Sequence, residues 1–337
     1  MRWQKTFQFF FRVLKSRVGS GGPLFLSHLV TTRCDCRCPT CLWKDHGSDN
    51  EVATEDIVAF YQQAGSTGFI ANAIWGGEPL LRDDLEVLCR ASREAGMVTS
   101  VITNGYYLLE RAESLGPEID SLIVSLDYPD AERHDAFRGR PGLFDRVIKG
   151  IEALSLHRRP NKVVINCLLH QGNQGVMPEM AALANSLGVS LFVCPAKAGI
   201  QPDTGQSNQD YILDREQEQH VARELLKLKK NTRINNSRTY LKRYLLKGQK
   251  YRCRAPLVFL TITSEGEAVN CLRKHRPYGN IREDSLISMM RHWNRSEILN
   301  RTEGCQKCNN PNVVDTSYLW DLYPEPLLNT IQLFLSS

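Results

Sequence analysis

Three closely spaced cysteines near the start of the chain have the spacing of a metal site. Cys34, Cys38 and Cys41 form a C-x3-C-x2-C pattern, and thiolates this close in sequence can converge on one metal centre. A structural zinc ion normally takes four protein ligands, whereas three ligands leave a coordination position open for a reactant. The pattern therefore predicts a reactive metal centre, with Cys36 interpreted as a spare thiol between the ligands.

A second ligand set is predicted from four cysteines in the last third of the chain, namely Cys253, Cys271, Cys305 and Cys308. Four thiolates complete the coordination of either a structural zinc ion or a 4Fe-4S cluster, and the residues alone leave both open. The other cysteines, Cys89, Cys167 and Cys194, fall on a predicted helix or on predicted strands. There a free cysteine behaves as a small hydrophobe, so we expect core packing.

The elements that must position the first cysteines alternate between strand and helix. Short β-rich runs are predicted at 24–32, 69–75, 98–103, 121–127, 163–168 and 189–194, and helices at 54–64, 82–95, 144–154 and 178–187. This alternation predicts an α/β fold with a parallel sheet, and six units can make a partial TIM-like barrel. Reactive groups in such folds gather at the carboxyl ends of the strands.

Polar motifs follow four of these strands at that edge. The cysteine triad comes after the first strand, Gly76-Gly77-Glu78-Pro79 after the second, Thr103-Asn104-Gly105 at the third and Ser125-Leu126-Asp127 at the fourth. Each motif is weak alone, since Asn-Gly and Gly-Gly are also common turns. Their shared position predicts one site.

The remainder of the chain predicts a smaller second unit. A polar stretch at 201–209 and a charged helix at 214–230 precede a hairpin with strands at 257–263 and 268–272, and a helix follows at 285–293. The predicted division is a basic amphipathic N-terminal segment, 1–22, a barrel, 23–200, a connector, 201–250, a small α+β domain, 251–312, and an apolar tail, 313–337.

The triad and the motifs that follow it resemble the radical S-adenosylmethionine (SAM) superfamily. The resemblance covers roughly residues 24–200 and implies a 4Fe-4S cluster on Cys34, Cys38 and Cys41, with SAM on the open iron. It implies SAM contacts for Gly76, Gly77, Glu78 and Pro79, and carries Asn104, Ser125 and Arg138 over to SAM binding. Arginine suits a carboxylate because its planar fork donates two hydrogen bonds.

One position departs from that family. Relatives usually have an aromatic residue before the third cysteine, packed near the adenine, and here that residue is Thr40. Trp43 is a candidate to take over this packing, or is a loop aromatic that shields the cluster.

The second cysteine set resembles the Twitch form, the shortened relative of the SPASM extension. This resemblance implies an auxiliary 4Fe-4S cluster on Cys253, Cys271, Cys305 and Cys308, with zinc as the alternative. Reductive cleavage of SAM to a 5'-deoxyadenosyl radical and hydrogen abstraction from substrate are implied for the first site. An electron donor such as flavodoxin or ferredoxin is the implied partner. The proton donor or acceptor is unassigned, with four candidates: His46, Asp127, Lys149 and His170.

Composition and charge narrow the function classes. The chain has 337 residues, 42% of them hydrophobic and 23% charged, which is ordinary for a globular protein. No apolar run reaches the roughly 18 residues of a membrane span, and no export signal is recognised at the start. Clustered cysteines then favour metal ligation in the reducing cytoplasm over disulfides.

The formal net charge of +5 is unevenly distributed. Residues 1–22 carry five Lys or Arg and no acid, and residues 223–254 carry twelve against Glu224 alone. The second segment is either a solvated helix or a surface for an anionic partner. Nucleic acid is not favoured, because no aromatic-rich strand pattern accompanies the charge.

The substrate stays open between a small molecule and a lipid-linked one. Apolar residues at helical spacing in 1–18, with basic residues between them, suit a helix lying on an anionic membrane surface; packing against the barrel is the alternative. A peptide-modifying maturase and a zinc-binding scaffold without catalysis are the rival functions.

Overall fold

The computed structural model describes residues 11, 15, 22–43, 50–156, 160, 162–202, 204–271, 277–305 and 308–329. The predicted membrane-surface helix at 1–18 and the end of the apolar tail lie almost wholly outside these ranges. Within them, no helix combines the length and the hydropathy that crossing a membrane requires.

Six parallel strands form the expected barrel sheet. They are β1 (Phe25–Leu29), β2 (Ala71–Trp75), β3 (Val98–Thr103), β4 (Ser121–Ser125), β5 (Lys162–Leu169) and β6 (Ser190–Pro195). Each pairs in parallel with its sequence neighbour, and the order across the sheet is β6-β5-β4-β3-β2-β1. All six strand predictions are confirmed, with bounds that differ by a few residues at the ends.

Crossover helices connect these strands. They are α1 (Thr54–Thr67), α2 (Leu85–Glu94), α3 (Leu108–Leu115), α4 (Ala131–Arg138), α5 (Leu143–Leu156) and α6 (Met177–Ser186), with single 3-10 turns at Pro79–Leu81, Gly116–Glu118 and Gln174–Val176. Apolar residues recur at helical spacing and make one face of each helix, as Leu85, Leu88 and Cys89 do in α2. Those faces cover the sheet and form the main hydrophobic core.

The C-terminal third continues the barrel sheet. Strand β7 (Phe259–Ile262) pairs in parallel with β1, and β8 (Glu267–Val269) and β9 (Gly279–Asn280) extend the sheet in antiparallel fashion. The predicted hairpin is therefore β7–β8, docked on the barrel edge. A small apolar cluster explains this docking, because Leu24 before β1 packs with Leu257, Val258 and Trp320. The domain division of the chain stays a prediction.

The remaining helices surround this edge and the open side of β6. They are α7 (Arg215–Leu228), a π-helix (Tyr240–Leu246), α8 (Ala255–Val258), α9 (Leu286–Arg291), α10 (Arg295–Thr302) and α11 (Pro311–Trp320), with a 3-10 turn at Gln209–Tyr211. Helix α7 begins with a capping box. The Asp214 carboxylate accepts from the backbone N–H of Gln217, and the side-chain oxygen of Gln217 accepts from the backbone N–H of Asp214. The helix predicted at 285–293 is confirmed as α9, capped by Ser285.

Candidate active site

The cysteine loop begins immediately after β1 and places several thiols close together. Cys34, Cys38 and Cys41 are half-buried, whereas Cys36 is buried. A backbone hydrogen bond of 3.2 Å from the Cys41 amide to the Cys38 carbonyl closes the turn between the second and third cysteines. Potential ligand atoms of Cys34, Asp35 and Cys36 all lie within 4.8 Å of one another. Cys36 therefore lies beside Cys34, whereas Cys38 and Cys41 are not part of this group.

The electrostatics of the loop favour a thiolate at Cys38. The pKa of Cys38 is lowered by a hydrogen bond from the Cys36 thiol and by the Arg138 guanidinium, against the opposing effect of burial. One Arg138 nitrogen lies 3.8 Å from the Cys38 Sγ. Since the thiolate is the metal-binding form of cysteine, this loop fits a thiolate-ligated iron–sulfur cluster.

The Gly76–Pro79 turn is bonded to the cysteine loop along its backbone. Gly77 N donates to Thr31 O at 2.7 Å, and Glu78 N donates to Arg33 O at 2.8 Å. A Cβ on Gly76 would lie 2.4 Å from Thr31 O, and one on Gly77 would lie 2.2 Å from Arg33 O. Close approach of two backbones thus requires both glycines at these positions.

Glu78 and Asn104 link the turn to the third strand. The buried Glu78 carboxylate accepts from Thr103 Oγ1 at 2.6 Å, from Asn104 N at 2.6 Å and from Leu80 N at 2.9 Å. Burial raises the pKa of Glu78 to about 7, although these hydrogen bonds act in the opposite direction. Asn104 Nδ2 in turn donates to Asp35 Oδ1 at 2.7 Å. Residues from the ends of β1, β2 and β3 therefore form one hydrogen-bonded unit.

Pro79 starts the short 3-10 turn, where its missing N–H leaves no donor unpaired. Ser125 is the last residue of β4 and pairs in register with Asn166 of β5. It is half-buried at the same edge of the sheet as the cysteine loop.

Arg138 is held at the last turn of α4 by a buried ion pair. Its Nε donates to Asp127 Oδ2 at 2.6 Å, with the Asp127 side chain fully buried. Burial acts to lower the pKa of Arg138, but the charges of the Asp127 carboxylate and the Cys38 thiolate raise it overall. Gly139 ends the helix at a φ of 62°, and Arg37 N donates to Arg138 O at 2.7 Å. The helix end is thereby fixed against the cysteine loop.

Thr40 and Trp43 lie where the sequence departs from the family pattern. Thr40 is 6% exposed, and its hydroxyl has no hydrogen-bond partner among the described residues. Trp43 is exposed and meets Trp75 edge to face, with ring centroids 5.3 Å apart. Trp43 therefore extends the aromatic surface at the end of β2.

The second group of cysteines is brought together from three separate parts of the chain. Burial, together with the charges of Cys308, Cys305 and Cys271, raises the pKa of Cys253 to about 12, so all four thiols lie within electrostatic reach. Four thiolates are a ligand set for a 4Fe-4S cluster or a zinc ion, and no three of these four sulfurs lie within 4.8 Å of one another in the described residues. Asn309 Nδ2 donates to Ala196 O at 3.0 Å, just past the carboxyl end of β6. The group therefore approaches the edge of the sheet that carries the first cysteine loop.

The four proton-transfer candidates differ in their surroundings. Asp127 is committed to Arg138 and to the Leu168 amide. His170 is buried and stacked on Phe137 with centroids 4.2 Å apart, and burial lowers its pKa to about 4. Lys149 is exposed on α5, away from the strand ends, and His46 lies outside the described residues.

Sequence reasoning missed several polar side chains at both groups. Gln201 and Asn208 contact backbone carbonyls of the cysteine loop, and Tyr240 and Tyr251 donate to carbonyls at Asn309 and Cys308. Gln201 and Cys38 are 163 residues apart. In sequence, the polar stretch that contains Gln201 and Asn208 looks like an ordinary solvated loop. No local pattern therefore indicates that these side chains support the site.

Comparisons with known proteins agree with this arrangement. Residues 29–183 match the family model of the radical SAM superfamily. The AdoMet-dependent heme synthase of Methanosarcina barkeri is 30% identical over 194 residues, or 55% of this chain and 54% of that protein. The chain therefore spans about half the length of this curated relative.

Two solved structures share the fold over most of the chain. Streptococcus suis SuiB bound to the precursor peptide SuiA is 18% identical with a TM-score of 0.69, covering 93% of this chain and 76% of SuiB. Native anSMEcpe with bound AdoMet and Cp18Cys peptide is 17% identical with a TM-score of 0.64, covering 92% and 99%. These likenesses confirm the predicted α/β partial barrel.

Proposed function

This chain carries a radical SAM domain at residues 29–183, and from that premise we propose that Cys34, Cys38 and Cys41 ligate a 4Fe-4S cluster at which SAM is bound and cleaved. The superfamily uses this cluster and this cofactor. When bound, they supply a 5'-deoxyadenosyl radical that removes a hydrogen atom from the substrate. The observation that carries the proposal is the hydrogen-bonded unit that joins the cysteine loop to Gly77, Glu78 and Asn104.

The chain's own residues bind and orient in this proposal. Arg138 compensates the charge of the Cys38 thiolate and is itself held by Asp127. Glu78 locks the turn at 76–79 against Asn104, so that both backbones keep one position at the strand ends. On the family resemblance, Gly76 to Pro79, Asn104, Ser125 and Arg138 contact SAM. Trp43 is proposed to replace, beside the adenine, the aromatic residue that relatives have at the position of Thr40.

The second cysteine group is proposed to hold an auxiliary 4Fe-4S cluster. Its support is the convergence of Cys253, Cys271, Cys305 and Cys308, and the approach of Asn309 to the end of β6. An electron donor of the flavodoxin or ferredoxin kind supplies the electrons in this proposal. A zinc ion at the second site is the alternative that metal analysis decides.

The favoured substrate class is a peptide. Support comes from the fold shared over more than nine tenths of the chain with two proteins whose structures contain peptides, SuiB and anSMEcpe. The heme synthase relative supports a small-molecule substrate instead, through a match over 55% of this chain. A lipid-linked substrate depends on residues 1–18 and stays a prediction of the sequence.

The test is anaerobic reconstitution, followed by iron and zinc analysis and by measurement of 5'-deoxyadenosine released upon reduction. We expect about eight irons per chain for two clusters and release that depends on added SAM. Alanine substitutions of Cys34, Cys38 and Cys41 should each abolish release. Cys89→Ala, at a buried cysteine on α2, is the control and should retain it.

Two outcomes would contradict the proposal. Release that persists in the Cys38→Ala variant would remove the cluster assignment. A colourless protein that contains zinc and no iron would instead identify a zinc-binding scaffold.

A further inference from the structure

The segment after β6 folds back onto the cysteine loop. Residues 197–208, called the clasp here, form a short hairpin in which Ile200 bridges Ser207 and Gln201 N donates to Gln206 O at 2.9 Å. Asp203 lies outside the described residues. The sequence predicts the end of the barrel at residue 200 and a polar connector from residue 201.

Gln201 reaches from the clasp to two carbonyls of the cysteine loop. Gln201 is only 6% exposed. Its Nε2 donates to Cys38 O at 3.2 Å and also to Pro39 O. The amide orientation is set by Thr204, whose Oγ1 donates to Gln201 Oε1 at 2.6 Å. A buried amide with its acceptor already used presents only donors to the loop.

Asn208 makes a parallel contact with the next carbonyl. It is fully buried, and its Nδ2 donates to Thr40 O at 3.4 Å and to Lys197 O at 2.9 Å. Its Oδ1 accepts from Gly199 N at 2.8 Å. A Cβ at Gly199 would lie 2.7 Å from Leu42 Cδ2, so the clasp packs tightly on the loop beyond the third cysteine.

Three successive carbonyls, from residue 38 to residue 40, therefore accept hydrogen bonds from two clasp amides. Cys38 O also accepts from Cys41 N, which closes the turn between these cysteines. We propose that Gln201 and Asn208 are positioning residues that fix the Cys38–Cys41 turn and thereby set how tightly its thiols retain a metal centre. This inference rests on the proposed role of those cysteines as ligands.

The physical reason is that a chelating loop loses affinity when its backbone has more than one arrangement. Groups behind metal ligands commonly change affinity by about tenfold to a hundredfold, and hydrogen bonds around an iron–sulfur cluster alter its reduction potential. The clasp acts on the first of these, because its donors bond the backbone carbonyls of the ligating turn and restrict it to one arrangement.

The experiment compares Gln201→Glu with Gln206→Glu in the reconstituted full chain. Gln201→Glu places a carboxylate against carbonyl oxygens, whereas Gln206 is exposed on the same hairpin and gives the same charge change. We expect iron loss to a chelator to be about tenfold faster in Gln201→Glu, with a shifted electron paramagnetic resonance signal. Gln206→Glu should match the unsubstituted protein in both.

A second measurement uses the metal-free chain. Alkylation of Cys38 and Cys41, followed by mass spectrometry, should accelerate in Gln201→Glu while that of Cys271 stays unchanged. If Gln201→Glu does not fold, Gln201→Met replaces it in both measurements, because methionine keeps the side-chain volume and removes the donor. The same direction of change is expected. Asn208→Asp should act in the same direction as Gln201→Glu.

Equal iron loss and equal alkylation in the Gln201 and Gln206 variants would overturn the inference. Failure of the proposed function is distinguishable, because it appears as iron retained and SAM cleaved after alanine substitution of the triad cysteines. In that case the alkylation rates still report whether the clasp orders the turn.

Discussion

The two cysteine groups of this protein are assembled in different ways. The first comes from eight consecutive residues after one strand, and its surroundings are supplied by neighbouring strands of a parallel sheet. The second combines Cys253 before α8, Cys271 after β8, and Cys305 and Cys308 before α11. The cysteines of the first group are close in sequence, and contacts with distant segments hold their loop in place. The cysteines of the second group are themselves far apart in sequence.

The hydrogen bonds around the two groups differ accordingly. Buried charges surround the first, with Glu78 on one side and the Arg138–Asp127 pair on the other. Neutral tyrosine hydroxyls contact the second at Cys308, where Tyr251 and Tyr244 both donate to the backbone oxygen, at 2.7 and 3.4 Å. Buried charges cost far more to disrupt than neutral hydrogen bonds. The first group should therefore be the more sensitive to single substitutions of its supporting residues.

The largest expected difference between the groups lies in SAM cleavage. Cys308→Ala should lower the iron content from about eight to about four per chain while SAM-dependent release of 5'-deoxyadenosine upon reduction persists. The reason is that the first ligand set is complete without the second group. Iron analysis and chromatography of the nucleoside measure both quantities.

Cys89→Ala serves as its control, since Cys89 lies in the core on α2 and contacts neither group. It should keep all the iron. Complete loss of SAM cleavage in Cys308→Ala would remove the distinction between a cleaving site and an auxiliary site.

A large loss of stability is expected at the buried ion pair of the first group. Arg138→Met leaves the fully buried Asp127 carboxylate without its partner, which should lower the free energy of unfolding by about 3–5 kcal/mol. Arg133→Met on the same helix is the control, because its pair with Asp130 is exposed and contributes at most about 1 kcal/mol. Denaturant unfolding compares the two variants, and equal effects would show that the buried pair contributes no more to stability than the exposed one.

The Glu78 carboxyl predicts a pH dependence. Since burial raises its folded pKa from 4.5 to about 7, the native state binds more protons than the unfolded state between these values. The stability that Glu78 contributes therefore falls as pH rises through this window, by at most about 1.4 kcal/mol per pH unit. In Glu78→Gln this fall should vanish from the stability profile measured between pH 5 and 7.

Glu110→Gln provides the opposite case. Burial acts to raise the pKa of Glu110, but the hydrogen bond with Arg146 lowers it overall. Glu110 therefore does not cause a loss of stability as the pH rises from 5 to 7. If Glu78→Gln and Glu110→Gln gave parallel profiles, Glu78 would have an ordinary pKa.

The contrast between the groups also explains what the sequence could predict. The triad, the Gly76–Pro79 turn and Asn104 were found because each lies within a few residues of a strand end, where the local pattern is visible. Hydrogen bonds join the cysteine loop to the turn and to Asn104 in the structure, and the six parallel strands are confirmed. Their roles toward a cluster or SAM stay proposals.

Contacts between distant segments could not be predicted. The pairing of β7 with β1 depends on a small apolar cluster formed by Leu24, Leu257 and Trp320, which lie far apart in sequence. Gln201 belongs to a predicted connector, because nothing near it in sequence indicates that its side-chain amide reaches the Cys38 carbonyl. Local sequence patterns contain no information about which distant segments pair.

The smallest expected effect tests the neutral support of the second group. Tyr251→Phe removes the hydroxyl that donates to Cys308 O at 2.7 Å, which should lower the free energy of unfolding by about 1 kcal/mol. Metal should leave the second group about fivefold faster, a factor that corresponds to one such hydrogen bond, while the first group keeps its release rate. Chelator kinetics resolved by absorbance in wild-type and Cys38→Ala backgrounds separate the two. Tyr318→Phe is the matched control, because the Tyr318 hydroxyl is buried with no hydrogen-bond partner among the described residues, so its removal should cost nothing. If Tyr251→Phe destabilised the first group as much as the second, the two would share one supporting network and the contrast between them would not hold.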